Sequence, residues 1–231
     1  MARYMDSNML GELALFQGVE SQQLEQLSRL MHRKTFAAGT PIIAAEEPGD
    51  AAYIILSGTV KIHAEQPDGS IVILSILGAG EIVGEMSVVD NIGRSATVVT
   101  LESSTLLAIN REVFDRCLQT MPVMTYNLVR ILSRRLRISG AQVQAIATLD
   151  VFGRVARQLL TFAQEYGQPT RDKEILIPLR LTQSDLADLV GASRVRVNQV
   201  LVFFKQQQYI AVDSDNRITI LDSESLLQRC Q

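Results

Sequence analysis

The chain is poor in the residues that metal and redox chemistry draw on. Cysteine and histidine occur twice each in 231 residues. Cys117 and Cys230 form no CxxC pair and His32 and His63 stand alone, which excludes a disulfide framework, an iron–sulfur cluster and a zinc ribbon. No Ser/His/Asp set and no phosphate loop is present, so the chain does not read as an enzyme. No apolar run approaches the roughly 18 residues needed to cross a bilayer. Met1 to Gly11 mixes Arg3 and Asp6 with polar side chains and lacks the apolar centre of a secretion signal. These absences give a cytoplasmic protein as the expectation. Charge of neither sign dominates: the formal net charge is −3, so a nucleic-acid contact would have to be local. What is present is globular, with 47% hydrophobic and 20% charged residues, enough for one large or two small domains.

Residues 20–33 carry helical spacing, with Leu24, Leu27, Leu30 and Met31 on one face. After Lys34 short β-prone runs alternate with turns such as Glu47-Pro48-Gly49-Asp50, Ser57-Gly58 and Pro67-Asp68-Gly69. Strands are expected at 52–56, 59–64, 70–77, 95–101 and 105–109, a pattern that fits a jelly roll. Tyr53–Leu56 and Ile71–Leu74 are apolar throughout, as strands buried on both faces would be. His63 reads as an exposed strand histidine. Within this region Gly84-Glu85-Met86 leads, through small and apolar residues, to Arg94-Ser95-Ala96. A carboxylate accepts from a diol and a guanidinium fork suits phosphate, so the cassette fits one small ligand bearing hydroxyls and an anion. The alternative is a structural ion pair between Glu85 and Arg94.

From Arg111 the chain turns helical, with Pro122 at a first-turn position and Gly140 as the one strong breaker before Ala147. Thr125, Val129, Leu132, Leu136, Ser139, Val143 and Ile146 form one seam, either packed on the chain's own β-domain or on a second copy in parallel. Residues 150–166 are helical again, and 175–177 read as a short strand. Thr182 and Asp185 open a further helix as a capping box, Gly191 marks a turn, and Ser193 caps the next helix. Val197, Val200, Leu201 and Phe204 form its inner face. Arg194, Val195, Asn198, Gln199 and Val202 lie opposite, with Arg196 at the flank. Arginine pairs with guanine, and asparagine or glutamine with adenine, so this is a helix-turn-helix surface for base edges, with Thr182 and Gln183 beside it. A plain αα-hairpin shares part of the spacing. Residues 209–212 and 217–221 around Asp213-Ser214-Asp215-Asn216 add a hairpin, which makes a winged helix.

Gly84-Glu85, Arg94-Ser95-Ala96, Arg134-Arg135-Leu136, Leu149-Asp150-Val151-xx-Arg154 and Val190-Gly191-xx-Ser193-Arg194 occur in this order from about Leu15 to Ile220. In them the chain resembles the cyclic-AMP receptor protein/fumarate-nitrate regulator (CRP/FNR) superfamily of bacterial transcription factors, in its cyclic-nucleotide branch. The resemblance implies an α+β homodimer. Its parts are a β-roll over 1–110, a dimerisation helix and hinge over 111–149 and a winged helix-turn-helix over 150–231. It implies that Glu85 binds the ribose 2′-hydroxyl, Arg94 the cyclic phosphate and Ser95 supports it. Gly84 and Met86 line the same turn, Leu74 and Ser75 lie near the nucleoside, and Ser139 meets the adenine. The partners implied are cyclic AMP, palindromic promoter DNA and RNA polymerase, with DNA affinity set allosterically by the nucleotide and no metal.

Three positions depart from the family pattern. Gly140 stands where the enteric receptor has a serine that reaches the nucleotide across the dimer. Val195 replaces a glutamate and Gln199 an arginine on the recognition helix, so the half-site is expected to keep the guanine read by Arg194 and to change elsewhere. An iron–sulfur sensor would need a cysteine cluster near the N-terminus, which the sequence lacks, a haem sensor an axial ligand for which His63 is the one candidate, and a 2-oxoglutarate sensor would not keep this cassette. The alternative is a regulator of the same fold with a different ligand or none.

Overall fold

The computed structural model describes residues 7–170 and 174–230. Two compact units divide the chain: residues up to Ala64 with Ile76–Arg135, and Glu65–Ser75 with Leu136 onward. In chain order, α1 (Ser7–Gly11) and α2 (Ser21–Ser28) lead into β1 (His32–Phe36), β2 (Pro41–Ile43), β3 (Ala51–Ser57) and β4 (Val60–Glu65). Then come β5 (Ile71–Leu77), β6 (Ile82–Val83), α3 (Met86–Val89), β7 (Thr97–Thr100) and β8 (Ser104–Asn110). Helix α4 (Arg111–Thr120) and the long α5 (Pro122–Thr148) follow.

The strands make two four-stranded antiparallel sheets, β1-β8-β3-β6 and β2-β7-β4-β5, the β-roll expected from the turn spacing. Strand β8 is buried from Ser104 to Ile109 because it is central and has an apolar layer on each face. Successive side chains point to opposite faces. Leu106 therefore joins Ile43, Ile55, Val60 and Val98, while Leu107 and Ile109 join Leu10, Phe16, Phe114 and Met124. Phe16 and Phe114 are fully buried, worth about 2–3 kcal/mol each. Asn127 on α5 sits in this second layer and donates from Nδ2 to the carbonyls of Leu15 (3.1 Å) and Gln17 (2.8 Å). A buried amide satisfied in this way ties the N-terminal segment to α5.

Three local expectations are corrected. The helix read over 20–33 ends at Ser28, and β1 begins at His32; Leu24, Leu27 and Met31 are buried but Leu30 is exposed. The apolar run in β5 is not covered on both faces: Ile73 is buried while Ile71, Val72 and Leu74 face solvent, since β5 is an edge strand. His63 is buried rather than exposed, on the inner strand β4 opposite Thr97.

Helix α5 starts at Pro122 as expected and runs through Gly140. Met124, Asn127, Leu128 and Ile131 are buried, yet the seam residues Val129, Leu136, Val143 and Ile146 are exposed. Packing on the chain's own β-roll and an uncovered apolar seam therefore coexist on one helix. Among the described residues no helix is long and apolar enough to cross a membrane.

The second unit contains α6 (Val151–Tyr166), β9 (Gln168–Pro169), β10 (Ile175–Ile177), α7 (Gln183–Val190) and α8 (Arg194–Gln206). After them come β11 (Ile210–Val212), β12 (Ile218–Ile220) and α9 (Ser223–Gln228). The wing is a four-stranded sheet, β11-β12-β10-β9. Asp150 caps α6 by accepting from Gly153 N (2.8 Å), Thr182 caps α7 and Ser193 caps α8. Gly191 ends α7 at φ +63°, a left-handed conformation that favours glycine. Val197, Val200, Leu201 and Phe204 are buried, the inner face read from the sequence. Helix α9 was not anticipated. It is capped by Asp222 (2.9 Å from Ser225 N) and buries Leu226.

Candidate functional site

Strand β6 delivers the chain into the cassette at Gly84, whose φ is +78°. A Cβ there would lie 2.6 Å from Arg94 Nη1, 2.8 Å from Ile43 Cδ1 and 3.2 Å from the Ala51 carbonyl oxygen, so the position is closed to any side chain. Its carbonyl accepts from Arg94 Nη1 at 2.7 Å. The same nitrogen donates to Ser87 Oγ at 2.8 Å, and Nη2 donates to the Ala51 carbonyl at 2.6 Å. Arg94 is buried and held by neutral acceptors. Burial works against its charge, with Tyr53, Asp50 and Glu85 offsetting this from a distance. Among the described residues these bonds are all made by Nη1 and Nη2, and none by Nε.

Glu85, at the start of α3, is 3% exposed. Burial holds its carboxyl above the ordinary carboxylate range, and Arg135 pulls it back in part. Arg135 Nη1 donates to Glu85 Oε1 at 2.9 Å, while its Nη2 donates to Glu81 Oε2 (2.7 Å) and to the Ile82 carbonyl (2.6 Å). Arg134 also pairs with Glu81, through Oε1. Glu85 and Arg94 are thus not an ion pair: among the described residues each is held by other groups, and the structural alternative read from the sequence does not hold.

The structure brings Gly84, Glu85, Met86, Arg94 and Ser95 together in one unit, with Met86 and Ser95 exposed. Leu74, Ser75 and Ser139 belong to the other unit; Leu74 and Ser139 face solvent there. Among the described residues no cluster of three His, Cys, Asp or Glu is placed to hold a metal.

In the second unit α7 and α8 present an exposed polar face. Arg194, Val195, Arg196, Asn198 and Gln199 are all exposed on α8, Val195 by 69%. Gln183 Nε2 donates to Asn198 Oδ1 at 2.8 Å, and Arg196 Nη1 donates to Gln199 Oε1 at 3.1 Å. The Arg196 guanidinium lies over the Phe152 ring, 5.3 Å from its centroid. Behind this face Arg154 Nη1 donates to the carbonyls of Val190 (2.8 Å) and Gly191 (3.1 Å), and Gln142 Nε2 to that of Leu189 (3.0 Å). These bonds satisfy the C-terminal carbonyls of α7.

Residues 33–121 match the cyclic nucleotide-binding domain and residues 153–229 the Crp-like helix-turn-helix domain. The CRP-like cAMP-activated global transcriptional regulator of Mycobacterium tuberculosis is 35% identical over 224 residues, covering 96% of this chain and 99% of the relative. The chain belongs to the CRP/FNR superfamily. Two solved members align along most of this chain. The catabolite activator protein of Thermus thermophilus has a TM-score of 0.52 and 27% identity, covering 94% of this chain and 98% of its own. The c-di-GMP responsive regulator CLP of Xanthomonas campestris has a TM-score of 0.68 and 25% identity, covering 87% and 99%. This CRP/FNR protein is a transcription regulator with a cyclic nucleotide-binding domain and a helix-turn-helix DNA-binding domain.

Four residues of this CRP/FNR member that hold the cassette in place carry no role in its sequence pattern: Glu81, Ser87, Arg134 and Arg135. Arg134-Arg135 is visible as a motif, but nothing in a sequence joins it to acids some fifty positions earlier (|i−j| is 53 for Arg134 and Glu81). The pairing Glu81-x₃-Glu85 is the one local signal, since two acids at that step in an apolar stretch need cations.

Proposed function

We propose that this regulator is a homodimer that binds cyclic AMP in the Gly84–Ser95 cassette and palindromic promoter DNA through α8, with DNA affinity switched by the nucleotide. One observation carries the ligand reading. Arg94 is a buried guanidinium fixed on Gly84, Ser87 and Ala51 with no carboxylate partner among the described residues. A buried charge without a counterion is costly, and an anion at the open Nε edge offsets that cost.

The donor set fits the ligand. A cyclic nucleotide supplies one phosphate charge for Arg94 and a ribose hydroxyl for Glu85. Glu85 keeps Oε2 for that hydroxyl while Arg135 holds Oε1. Ser95, exposed beside Arg94, adds a hydroxyl at the rim. Ser87 and the carbonyls of Gly84 and Ala51 hold Arg94 in place beforehand, so little is lost on ordering it. The M. tuberculosis relative is named cAMP-activated, which supports cyclic AMP over other cyclic nucleotides. Leu74 and Ser75 near the nucleoside and Ser139 at the base enter this proposal on the family resemblance alone, as does RNA polymerase as a partner.

The exposed seam of Val129, Leu136, Val143 and Ile146 supports a parallel pairing of two α5 helices. Two recognition helices about 34 Å apart then meet successive major grooves. A switch of this kind requires the DNA-competent arrangement to hold the ligand more tightly than the other arrangement does. Calorimetry with cyclic AMP on the wild type and Arg94→Ala tests the site, and DNA affinity measured with cyclic AMP, cyclic GMP, c-di-GMP and no ligand tests the switch. Equal DNA affinity in all four conditions overturns it. A second reading, the same fold tuned to another ligand, is favoured by Gly140 in place of the serine of the enteric receptor and by the c-di-GMP response of the Xanthomonas protein. It predicts that c-di-GMP replaces cyclic AMP in that series.

A further inference from the structure

Two amide side chains on the recognition helix are already committed on one side. Arg196 Nη1 lies 3.1 Å from Gln199 Oε1. A guanidinium can only donate, so the oxygen of Gln199 faces Arg196 and the Nε2 hydrogens are what it presents outward. Arg196 is itself seated. Its guanidinium covers the Phe152 ring at 5.3 Å, and Phe152 meets Phe203 (5.5 Å) and the fully buried Phe204 (6.1 Å) edge to face. Asn198 shows the same arrangement, with Oδ1 accepting from Gln183 Nε2 at 2.8 Å and Nδ2 left free to donate.

We propose that Arg196 and Gln183 are positioning residues that turn the amides of Gln199 and Asn198 outward as donors, so that α8 reads acceptor edges of bases, guanine first, rather than adenine. Adenine recognition by an amide needs both its atoms: the NH₂ gives to N7 while the oxygen accepts from the N6 amino group. Here the oxygen is taken, and a positive charge beside it opposes a second donor. Guanine offers two acceptors, O6 and N7, to the same NH₂, and thymine offers O4. Val195, exposed three positions before Asn198 on the same helix, suits the thymine methyl group. The half-site so described is rich in guanine and thymine on the contacted strand. The inference rests on the DNA-binding reading above and deepens it.

The test uses the full chain with saturating cyclic AMP. Sites are selected from a random pool with the wild type, Gln199→Ala and Arg196→Ala, each checked for folding by circular dichroism. Gln199→Ala marks the base it contacts as the one position whose preference disappears. At that position the wild type is expected to prefer guanine over adenine about tenfold, and Arg196→Ala to bring the two close to equality while other positions keep theirs. Replacing that guanine by 7-deazaguanine, which needs no protein variant, should weaken wild-type binding several-fold and leave Gln199→Ala unaffected. Adenine selected at the Gln199 position by the wild type, an unchanged preference in folded Arg196→Ala, or indifference to 7-deazaguanine overturns the proposal alone. Failure of the wild type to enrich any site, when the selection is repeated with cyclic GMP, with c-di-GMP and without nucleotide, overturns the DNA-binding reading as well.

Discussion

Alanine at Gly84 should damage both stability and ligand binding, by an amount that the geometry sets. A Cβ in the left-handed region costs about 1–2 kcal/mol. The new methyl would sit 2.6 Å from Arg94 Nη1 and 2.8 Å from Ile43 Cδ1, so both must move. Shifting the isoleucine costs about 1 kcal/mol. Moving Arg94 breaks at least one of the bonds from Nη1 to Gly84 O and Ser87 Oγ, worth about 1.5–3 kcal/mol for a charged donor. The sum is about 3–6 kcal/mol, against a total of roughly 5–15 kcal/mol for a domain, so the variant is expected to fold but with a lowered midpoint.

Urea unfolding at fixed protein concentration measures that loss, and a double-mutant cycle with Arg94→Ala locates it. With the guanidinium gone the methyl no longer meets Nη1. The two substitutions should therefore fall short of additivity by about 1.5–3 kcal/mol. Cyclic AMP affinity should fall at least tenfold in Gly84→Ala, because the fork that would face phosphate is displaced. Additivity within about 0.5 kcal/mol, or unchanged affinity, refutes the reasoning.

Glu85→Gln should abolish nucleotide binding while leaving unfolding free energy at neutral pH within about 1 kcal/mol of the wild type, because Arg135 keeps Glu81 and the Ile82 carbonyl. Burial raises the folded-state pKa of Glu85, so its stabilising contribution is full below the unfolded value near 4.5 and is lost as pH rises through the raised folded value. Denaturation between pH 4 and 8 should show that loss in the wild type and not in the glutamine variant. Leu136→Asp should be tolerated by the single chain, since the side chain is 75% exposed, but should convert a dimer to monomers by sedimentation and weaken DNA binding; an intact dimer would remove the seam from the account. Gly140→Ser has open space around it and should raise thermal stability by about 0.5 kcal/mol through helix propensity. A changed cyclic AMP/cyclic GMP preference in the same variant would place this position near the nucleotide.

The architecture was legible where it depends on local rules. Turn residues spaced along 39–80 mark the strands of the roll, Pro122 marks the start of α5, and Thr182, Gly191 and Ser193 mark the helix-turn-helix with caps that the structure reproduces. The misreadings fall where a local pattern is overridden by position in the fold. Ile71–Leu74 has the composition of a central strand but lies at an edge, and three of its four residues face water. His63 has an ordinary strand context, and its burial follows from β4 being an inner strand of its sheet. The helical spacing of Leu24, Leu27, Leu30 and Met31 runs on past Ser28, although the chain leaves the helix there and turns into β1.

The cassette was legible as a pair of charges, and the structure changes what that pair means. Adjacent opposite charges in an apolar stretch suggest partners, yet Glu85 is held by Arg135 and Arg94 by carbonyls and a serine. The difference decides function. Had the two paired with each other, each would have been neutralised and an incoming phosphate would have had to break the pair. Held separately, Arg94 keeps its charge available at the Nε edge and Glu85 keeps one oxygen. The groups that achieve this, Ala51, Glu81, Ser87 and Arg135, touch no ligand in the proposed arrangement, and those that bond Glu85 or Arg94 directly lie up to 50 positions from them. The recognition helix repeats the device on a smaller scale, because Arg196 and Gln183 decide which atoms of Gln199 and Asn198 face outward. In both proposed sites the residue type offered to the ligand can be read from the sequence, whereas the atom it offers is set by a neighbour that only the fold brings close.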